Sequence, residues 1–99
     1  MVPTSLFDAA TFHQSVMPVC RCGHSIRFEA VGLWWHFERR GWDDRLAAAR
    51  RRFWCTACRS RTKHKVRAAR LEVIDWTETD ICLPSPDERT WKRIMRRVR

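Results

Sequence analysis

The chain has 99 residues, of which 44% are hydrophobic and six are tryptophan, and its net charge at pH 7 is +9. This length suits one compact domain and excludes two full cores, and the apolar content excludes a chain that is disordered by composition. Domains of this size often need a metal ion or disulfides for stability, so the five cysteines require an explanation.

The sequence predicts neither a transmembrane helix nor a secretory signal. No stretch approaches the roughly 18 apolar residues that cross a bilayer, and residues 1–17 contain neither a lysine or arginine nor a continuous apolar run. We therefore expect a cytoplasmic protein with no membrane partner. In a reducing cytoplasm, close cysteine pairs bind metal more often than they form disulfides.

The first elements predicted are an extension and a hairpin. Residues 1–16 have few charges and no regular hydrophobic period, which predicts a loosely ordered N-terminal extension. The main domain is expected over residues 17–84. It begins with a hairpin over residues 19–28, whose turn contains the first pair of cysteines and Gly23, because glycine tolerates the positive φ that a metal-binding turn often needs.

Two helices are predicted between the first and second cysteine pairs. The first begins near Glu29, where the hydrophobic period changes from two to about four, and ends at Gly41, which follows two arginines. Asp43 or Asp44 is suited to cap the second helix, which is expected to run to about Arg52.

Strands and one further helix are predicted after the second cysteine pair. Residues 62–66 are expected to return as the second strand of a hairpin, and residues 71–74 to form another strand. Residues 85–99 predict a basic amphipathic helix, with Ser85 as its cap and Pro86 at its first position. The expected fold is a small α+β domain, built from a zinc-ribbon-like pair of knuckle hairpins with a two-helix insert and this C-terminal helix.

Four of the five cysteines form two close pairs, Cys20-x-Cys22 and Cys55-x-x-Cys58. Zinc binds thiolates and imidazoles in a tetrahedron, and a short spacing lets one tight turn present two thiolates. The sequence therefore predicts one structural Zn²⁺ held by these four residues. The alternative set has His24 in place of Cys20 or Cys22.

Other interpretations of the cysteines are less well supported. Buried cysteines can be simple core residues, and this is the interpretation we favour for Cys82. A redox role for the second pair requires it to open a helix in a βαβ setting, whereas strand-like segments flank it in the sequence. A catalytic zinc requires an open coordination position and a nearby general base. Because the sequence contains no such pattern, we expect a closed structural site and no enzyme activity.

The charges are strongly segregated along the chain. Residues 39–70 contain twelve bases and two acids, residues 71–88 contain six acids and no base, and residues 89–99 contain six bases and no acid. Two basic blocks of this kind predict binding of a polyanion such as DNA or RNA, mainly through phosphates. The residues expected to make these contacts are Arg50, Arg51, Arg52, Arg59, Arg61, Lys63, Lys65, Arg67, Lys92, Arg93, Arg96 and Arg97.

A non-enzymatic, zinc-stabilised nucleic-acid-binding module is therefore the leading hypothesis. The alternative is a protein-interaction adaptor, whose basic amphipathic C-terminal helix docks on an acidic protein partner. An ordinary solvated basic surface would give the same charge pattern.

The order of these features resembles small uncharacterised bacterial zinc-ribbon-like proteins of an alphaproteobacterial type. The resemblance covers roughly residues 17–70, and it implies the metal site but no established activity. Such proteins usually have glycine after the second pair, where this chain has Arg59. The matching residues are Cys20-x-Cys22-Gly23-His24, then Gly41-Trp42-Asp43-x-x-Leu46, then Arg52-Phe53-x-Cys55-x-x-Cys58-x-x-Arg61.

Overall fold

The computed structural model describes residues 2–97, except for the side chain of Arg97. What the sequence predicts for residues 98–99 and for the contacts of Arg97 lies outside the described part. The elements in chain order are α1 (Leu6–Thr11), β1 (Ser15–Val19), β2 (Phe28–Glu29), α2 (Ala30–Arg40), α3 (Leu46–Ala49), a 3₁₀ turn (Arg50–Arg52), α4 (Thr56–Thr62), β3 (Arg70–Ile74) and α5 (Glu88–Arg97).

The strands form one antiparallel sheet in the order β2-β1-β3. The central strand β1 pairs Ser15 with Glu29 on one side and with Ile74 on the other. The strand β1 and the chain that returns along it form the predicted first hairpin, which an isolated bridge between Val19 and Ser25 extends. The fold is therefore a small α+β domain, as expected from the sequence.

Helix α2 has the predicted start and end. The carboxylate of Glu29 accepts hydrogen bonds from the amides of Val31 and Gly32 at the first turn, which satisfies donors that have no partner within the helix. Gly41 ends the helix in the left-handed region at φ 66°, where glycine has no side chain to clash.

The prediction of a loosely ordered extension over residues 1–16 is wrong for the described residues. Residues 6–11 form α1, and Leu6, Ala9 and Ala10 are completely buried in the core. Helix α1 is also held by a residue far away in the sequence, because the Asp44 carboxylate accepts a hydrogen bond from the Phe7 amide at 3.1 Å. The local signal for this helix is Ser5, whose hydroxyl accepts the amide of Asp8 at 3.1 Å, although six residues are too few to show a clear hydrophobic period.

The same contact explains why the predicted second helix is shorter than expected. Asp44 serves α1, and Asp43 pairs with Arg45, so neither carboxylate caps the helix that follows. Helix α3 begins after Arg45 without a side-chain cap, has four residues, and continues only as a 3₁₀ turn.

Two further predictions differ from the structure after the second cysteine pair. Residues 56–62 form helix α4, so there is no return strand over residues 62–66 and the second pair does not lie in a hairpin turn. Helix α5 begins at Glu88, and the carboxylate of Asp87 accepts the Thr90 amide at 2.7 Å. Asp87 therefore takes the place predicted for Ser85, because its side chain lies directly before the first helical residue.

The core is shared by elements from both ends of the chain. Trp34 of α2, Phe7 of α1 and Trp91 of α5 pack against one another. The ring centroids of Trp34 and Phe7 are 5.3 Å apart, those of Trp34 and Trp91 5.5 Å, and those of Phe7 and Trp91 6.3 Å. Cys82, which was expected in the core, is exposed and lies in the loop before α5. None of the helices within residues 2–97 is long and apolar enough to span a bilayer.

Candidate metal centre

The first cysteine pair lies in a tight turn directly after β1. The Cys20 amide donates to the carbonyl of His24, and the Gly23 amide donates to the carbonyl of Cys20, both at 2.9 Å. Gly23 has φ 93°, which an L side chain rarely adopts, so this turn requires glycine. The turn places the Cys20 thiol in the interior and the Cys22 thiol at its rim.

The second pair lies at the start of α4. Cys55 is the cap residue of this helix, and its sulfur accepts the amide of Cys58 at 3.4 Å. The backbone amide of Cys55 donates to the carbonyl of Val66 at 2.8 Å, so the chain after α4 fixes the position of Cys55. Cys55 and Cys58 are both buried.

The two pairs converge on one point. All four Sγ atoms lie within 4.8 Å of one another. Two of the distances cross between the pairs, at 3.6 Å from the Cys20 Sγ to the Cys58 Sγ and 3.7 Å from the Cys22 Sγ to the Cys55 Sγ. In a tetrahedral zinc site the sulfurs are about 3.8 Å apart, because each Zn–S bond is about 2.3 Å. The geometry of the four sulfurs therefore suits a metal ion, and the cluster can hold one.

The cluster consists of the four predicted cysteines and does not include His24. His24 supports the cluster through its backbone groups. Its carbonyl fixes Cys20, and a hydrogen bond from its amide lowers the pKa of Cys22 to about 6. The thiolate form that binds metal is therefore favoured at the rim of the cluster.

At the buried side of the cluster, the thiol form of Cys58 is favoured over the thiolate. Hydrogen bonding to the Cys20 sulfur raises the pKa of Cys58 to about 11. Arg61 opposes this effect, because its Nη2 atom donates to the Cys58 sulfur at 3.6 Å. Four thiolates around a divalent cation have a net charge of −2, and the Arg61 guanidinium offsets part of it.

Such a donor set has no coordination position left for a substrate. Tetrahedral sites with four protein ligands are structural, whereas catalytic sites keep one position open for water. Here the ion would join the turn after β1 to the start of α4. Among the partly buried apolar residues of the described chain, Ala57 and Val66 pack against the buried cysteines.

The basic residues predicted to bind nucleic acid have two different environments. Arg50 and Arg61 make internal contacts, with the Ala68 carbonyl at 2.8 Å and with the Cys58 sulfur. The others on this part of the chain are exposed, and none is paired with a carboxylate among the described residues. They are Arg51, Arg52, Arg59, Lys63, Lys65 and Arg67.

A short ladder brings the two basic runs of this region together. Trp54 forms an antiparallel bridge with Arg67, and the amide of Ala68 donates to the carbonyl of Phe53. As a result, Arg51, Arg52 and Arg67 line one recess. We call the exposed residues Arg51, Arg52, Arg59, Lys63, Lys65 and Arg67 the basic surface.

The basic residues of the C-terminal helix belong to a separate element. Lys92, Arg93 and Arg96 lie on one side of α5, where Lys92 pairs with Glu88 at 3.0 Å. The opposite side of α5 packs on the core through Trp91 and Ile94.

Two aromatic residues at the basic surface were not among the predicted site residues. The ring of Trp54 is 47% exposed, and the Nζ atom of Lys65 lies 4.6 Å from its centroid. Trp42 is covered by the guanidinium of Arg52 at 4.1 Å. The signal in the sequence for Trp54 is the run of three arginines followed by Phe53 and Trp54 directly before Cys55.

Comparisons with known proteins do not assign the chain to a family. No protein-family model matches it, and neither curated proteins nor solved structures give a significant match. The resemblance to zinc-ribbon-like proteins stays a prediction, and the chemistry of the site is the basis for a function.

Proposed function

We propose that this chain is a non-enzymatic, zinc-stabilised module that binds DNA or RNA through its basic surface. The observation that supports this proposal is the position of that surface on the chain that flanks the second cysteine pair of the cluster. Arg59 lies on α4, between the second cysteine pair and the chain that returns to Trp54. A metal ion in the cluster would therefore fix the relative positions of the charges.

The donor set favours zinc over other cations. Thiolates are soft ligands that select zinc, copper(I) or iron, whereas magnesium and calcium require oxygen ligands. The tetrahedral arrangement of four cysteines is the common structural zinc site. A single Zn²⁺ is therefore the proposed occupant.

The local charge favours a polyanion as partner. No acidic residue occurs between Asp44 and Glu72, although ten lysines and arginines do. Arg45 and Arg70 of this run pair with carboxylates, whereas the six residues of the basic surface have no carboxylate partner among the described residues. Exposed cations of this kind attract phosphates, and the binding free energy comes largely from the release of counterions. Contacts of this kind give affinity with little choice of sequence.

The adaptor alternative is less well supported by the packing of α5. A helix that docks on an acidic partner would offer its apolar side, but Trp91 and Ile94 already pack on the core of this chain. Only the basic side, with Lys92, Arg93 and Arg96, is exposed for a partner. This side can add phosphate contacts to those of the basic surface.

A salt titration tests the proposal. Fluorescence anisotropy with labelled random-sequence DNA, as duplex and as single strand, would be measured from about 50 to 300 mM salt. We expect log K to fall linearly with log salt. The triple variant Arg51→Gln, Arg52→Gln, Arg67→Gln should reduce the slope by about 2 to 3, since each lost phosphate contact removes roughly 0.7 to 0.9.

The matched control is the triple variant Arg39→Gln, Arg45→Gln, Arg70→Gln. It changes the net charge equally, but Arg45 and Arg70 pair with carboxylates and lie outside the basic surface. The control should keep most of the wild-type slope. Absence of binding to both probes at the lowest salt, or an equal loss in both triple variants, would contradict the proposal.

A further inference from the structure

A recess of about 240 Å³ lies between the cysteine cluster and the basic surface. Its apolar walls include Ile26, Phe28, Phe53 and the exposed ring of Trp54. The volume is below the roughly 300–1,000 Å³ typical of pockets for drug-sized ligands. It suits a single flat ring system rather than a larger molecule.

The walls of the recess are held by the core. Phe53 lies 5.9 Å from Phe28 and stacks on the buried ring of Phe37 at 6.0 Å, as measured between ring centroids. Cys20 and Cys55 form the side of the recess nearest the metal centre. A ligand ring would therefore enter a site that is already formed, with little loss of side-chain entropy.

The polar groups at the recess are cationic or neutral. Arg52 lines it, together with His24 and Thr56, and no acidic residue does. Lys65 places a second cation 4.6 Å from the Trp54 ring. An apolar slot with cations around it has the properties needed to bind a base together with its phosphate.

We propose that this recess binds one unstacked nucleobase of a single-stranded nucleic acid, with Trp54 as the stacking surface. The inference rests on the proposed function and specifies its substrate class. A base within a duplex is covered on both faces by its neighbours, so it can enter the recess only after unpairing and unstacking, which costs free energy. A base in a single strand is already accessible, and stacking on an aromatic side chain tolerates any sequence.

The experiment compares a labelled 12-nucleotide single strand with a 12-base-pair duplex of the same sequence. We expect the wild-type protein to prefer the single strand. Trp54→Ala should weaken single-strand binding about 5- to 100-fold, from the usual contribution of one stacked base. Duplex binding should stay within about twofold of wild type, because it depends on phosphates alone.

Trp76→Ala is the matched control, because Trp76 is also 47% exposed and lies outside the recess. Trp54→Phe should retain most of the single-strand preference, since it keeps a ring. Thr56→Phe is a second blocking variant in case Trp54→Ala fails to fold. Thr56 is an exposed residue of the recess wall, so a larger side chain can fill the slot without removing a buried group.

The outcomes separate the two proposals. If neither probe binds, the proposed function fails and this inference fails with it. If both probes bind but neither Trp54→Ala nor Thr56→Phe changes the ratio of their affinities, the basic surface stands and the base-binding recess is wrong. Loss of the single-strand preference in either variant, with circular dichroism and bound zinc unchanged, supports the inference.

Discussion

Arg27 and Asp80 form an ion pair between a partly exposed guanidinium and a buried carboxylate, in which Nε of Arg27 donates to Oδ1 of Asp80 at 2.6 Å. The Asp80 side chain is completely covered, and it also accepts hydrogen bonds from the hydroxyl of Ser15 and from the amide and hydroxyl of Thr77. One carboxylate thus joins β1, the chain before β2 and the loop after β3.

Asp80→Asn should destabilise the fold. The substitution keeps the shape of the side chain but removes the charge that faces Arg27. It also replaces one acceptor oxygen by a donor NH2 group, so donors at this buried position lose their acceptor. We expect the melting temperature to fall by about 10 °C. Glu78→Gln removes an exposed carboxylate from the same loop, and it should leave the melting temperature almost unchanged.

The contribution of Asp80 should depend on pH in a defined direction. The Arg27 hydrogen bond is the largest cause that holds the pKa of Asp80 far below its ordinary value of 3.8. Because the pKa is lower in the folded state, the stabilisation is complete above about pH 5 and is lost as the pH falls towards the folded-state pKa. The difference between wild type and Asp80→Asn in urea unfolding should therefore shrink below about pH 4. A difference that stays constant down to pH 2 would contradict this assignment.

Gly32→Ala should also be destabilising, although alanine is the better helix former. A Cβ atom at this position of α2 would lie 2.9 Å from the carbonyl carbon of Leu83 and closer still to its oxygen. The steric effect should outweigh the gain of about 1 kcal/mol in helix propensity, for a net loss of about 1 to 3 kcal/mol. The sign of the change in urea midpoint is the test, since a gain in stability would show that Leu83 does not pack against α2.

Local signals in the sequence were sufficient for α2 and β3. Helix α2 has its cap, its buried stripe and its terminal glycine within a dozen residues, so the prediction did not depend on the rest of the fold. The cluster of four cysteines was also predictable, because the spacing within each pair suits a metal ligand set. Each of these features is determined by residues close together in the chain.

The elements that the sequence did not predict depend on distant residues. Helix α1 is also held by Asp44, whose carboxylate accepts a hydrogen bond from the amide of Phe7, 37 positions away. Asp80 pairs with Arg27, 53 positions away. The start of α4 differs from the predicted hairpin turn because Cys55 both belongs to the cysteine cluster and caps the helix. The cysteine spacing predicts the role of Cys55 in the cluster, but it does not predict that the same residue caps a helix.

Removal of the metal ligands should abolish zinc binding and much of the stability. Cys55→Ser with Cys58→Ser takes away half of the cluster, so we expect bound zinc to fall from one equivalent to almost none. Structural zinc sites contribute on the order of 10 kcal/mol to folding, and the melting temperature should fall accordingly. Cys82→Ser is the control, because Cys82 is exposed and lies outside the cluster. Equal zinc content in the double variant and the control would contradict the site.

Arg61 should tune the affinity of the centre without being a ligand. Its guanidinium donates to the Cys58 sulfur at 3.6 Å, and the same hydrogen bond raises the pKa of Arg61. Residues that support ligands in this way commonly change metal affinity by about 10- to 100-fold. We therefore expect Arg61→Gln to lose zinc more readily in competition with a chromophoric chelator.

Arg59→Gln is the matched control for this effect. Arg59 lies on the same helix and is exposed, and it makes no hydrogen bond to a cysteine sulfur among the described residues. The Arg59→Gln substitution removes the same charge two positions away from Arg61, so the change in long-range electrostatics at the cluster is nearly equal in the two variants. A larger loss of zinc affinity in Arg61→Gln than in Arg59→Gln would show that the direct N–H···S contact stabilises the thiolate. Equal losses would mean that the centre senses only the overall positive charge of α4.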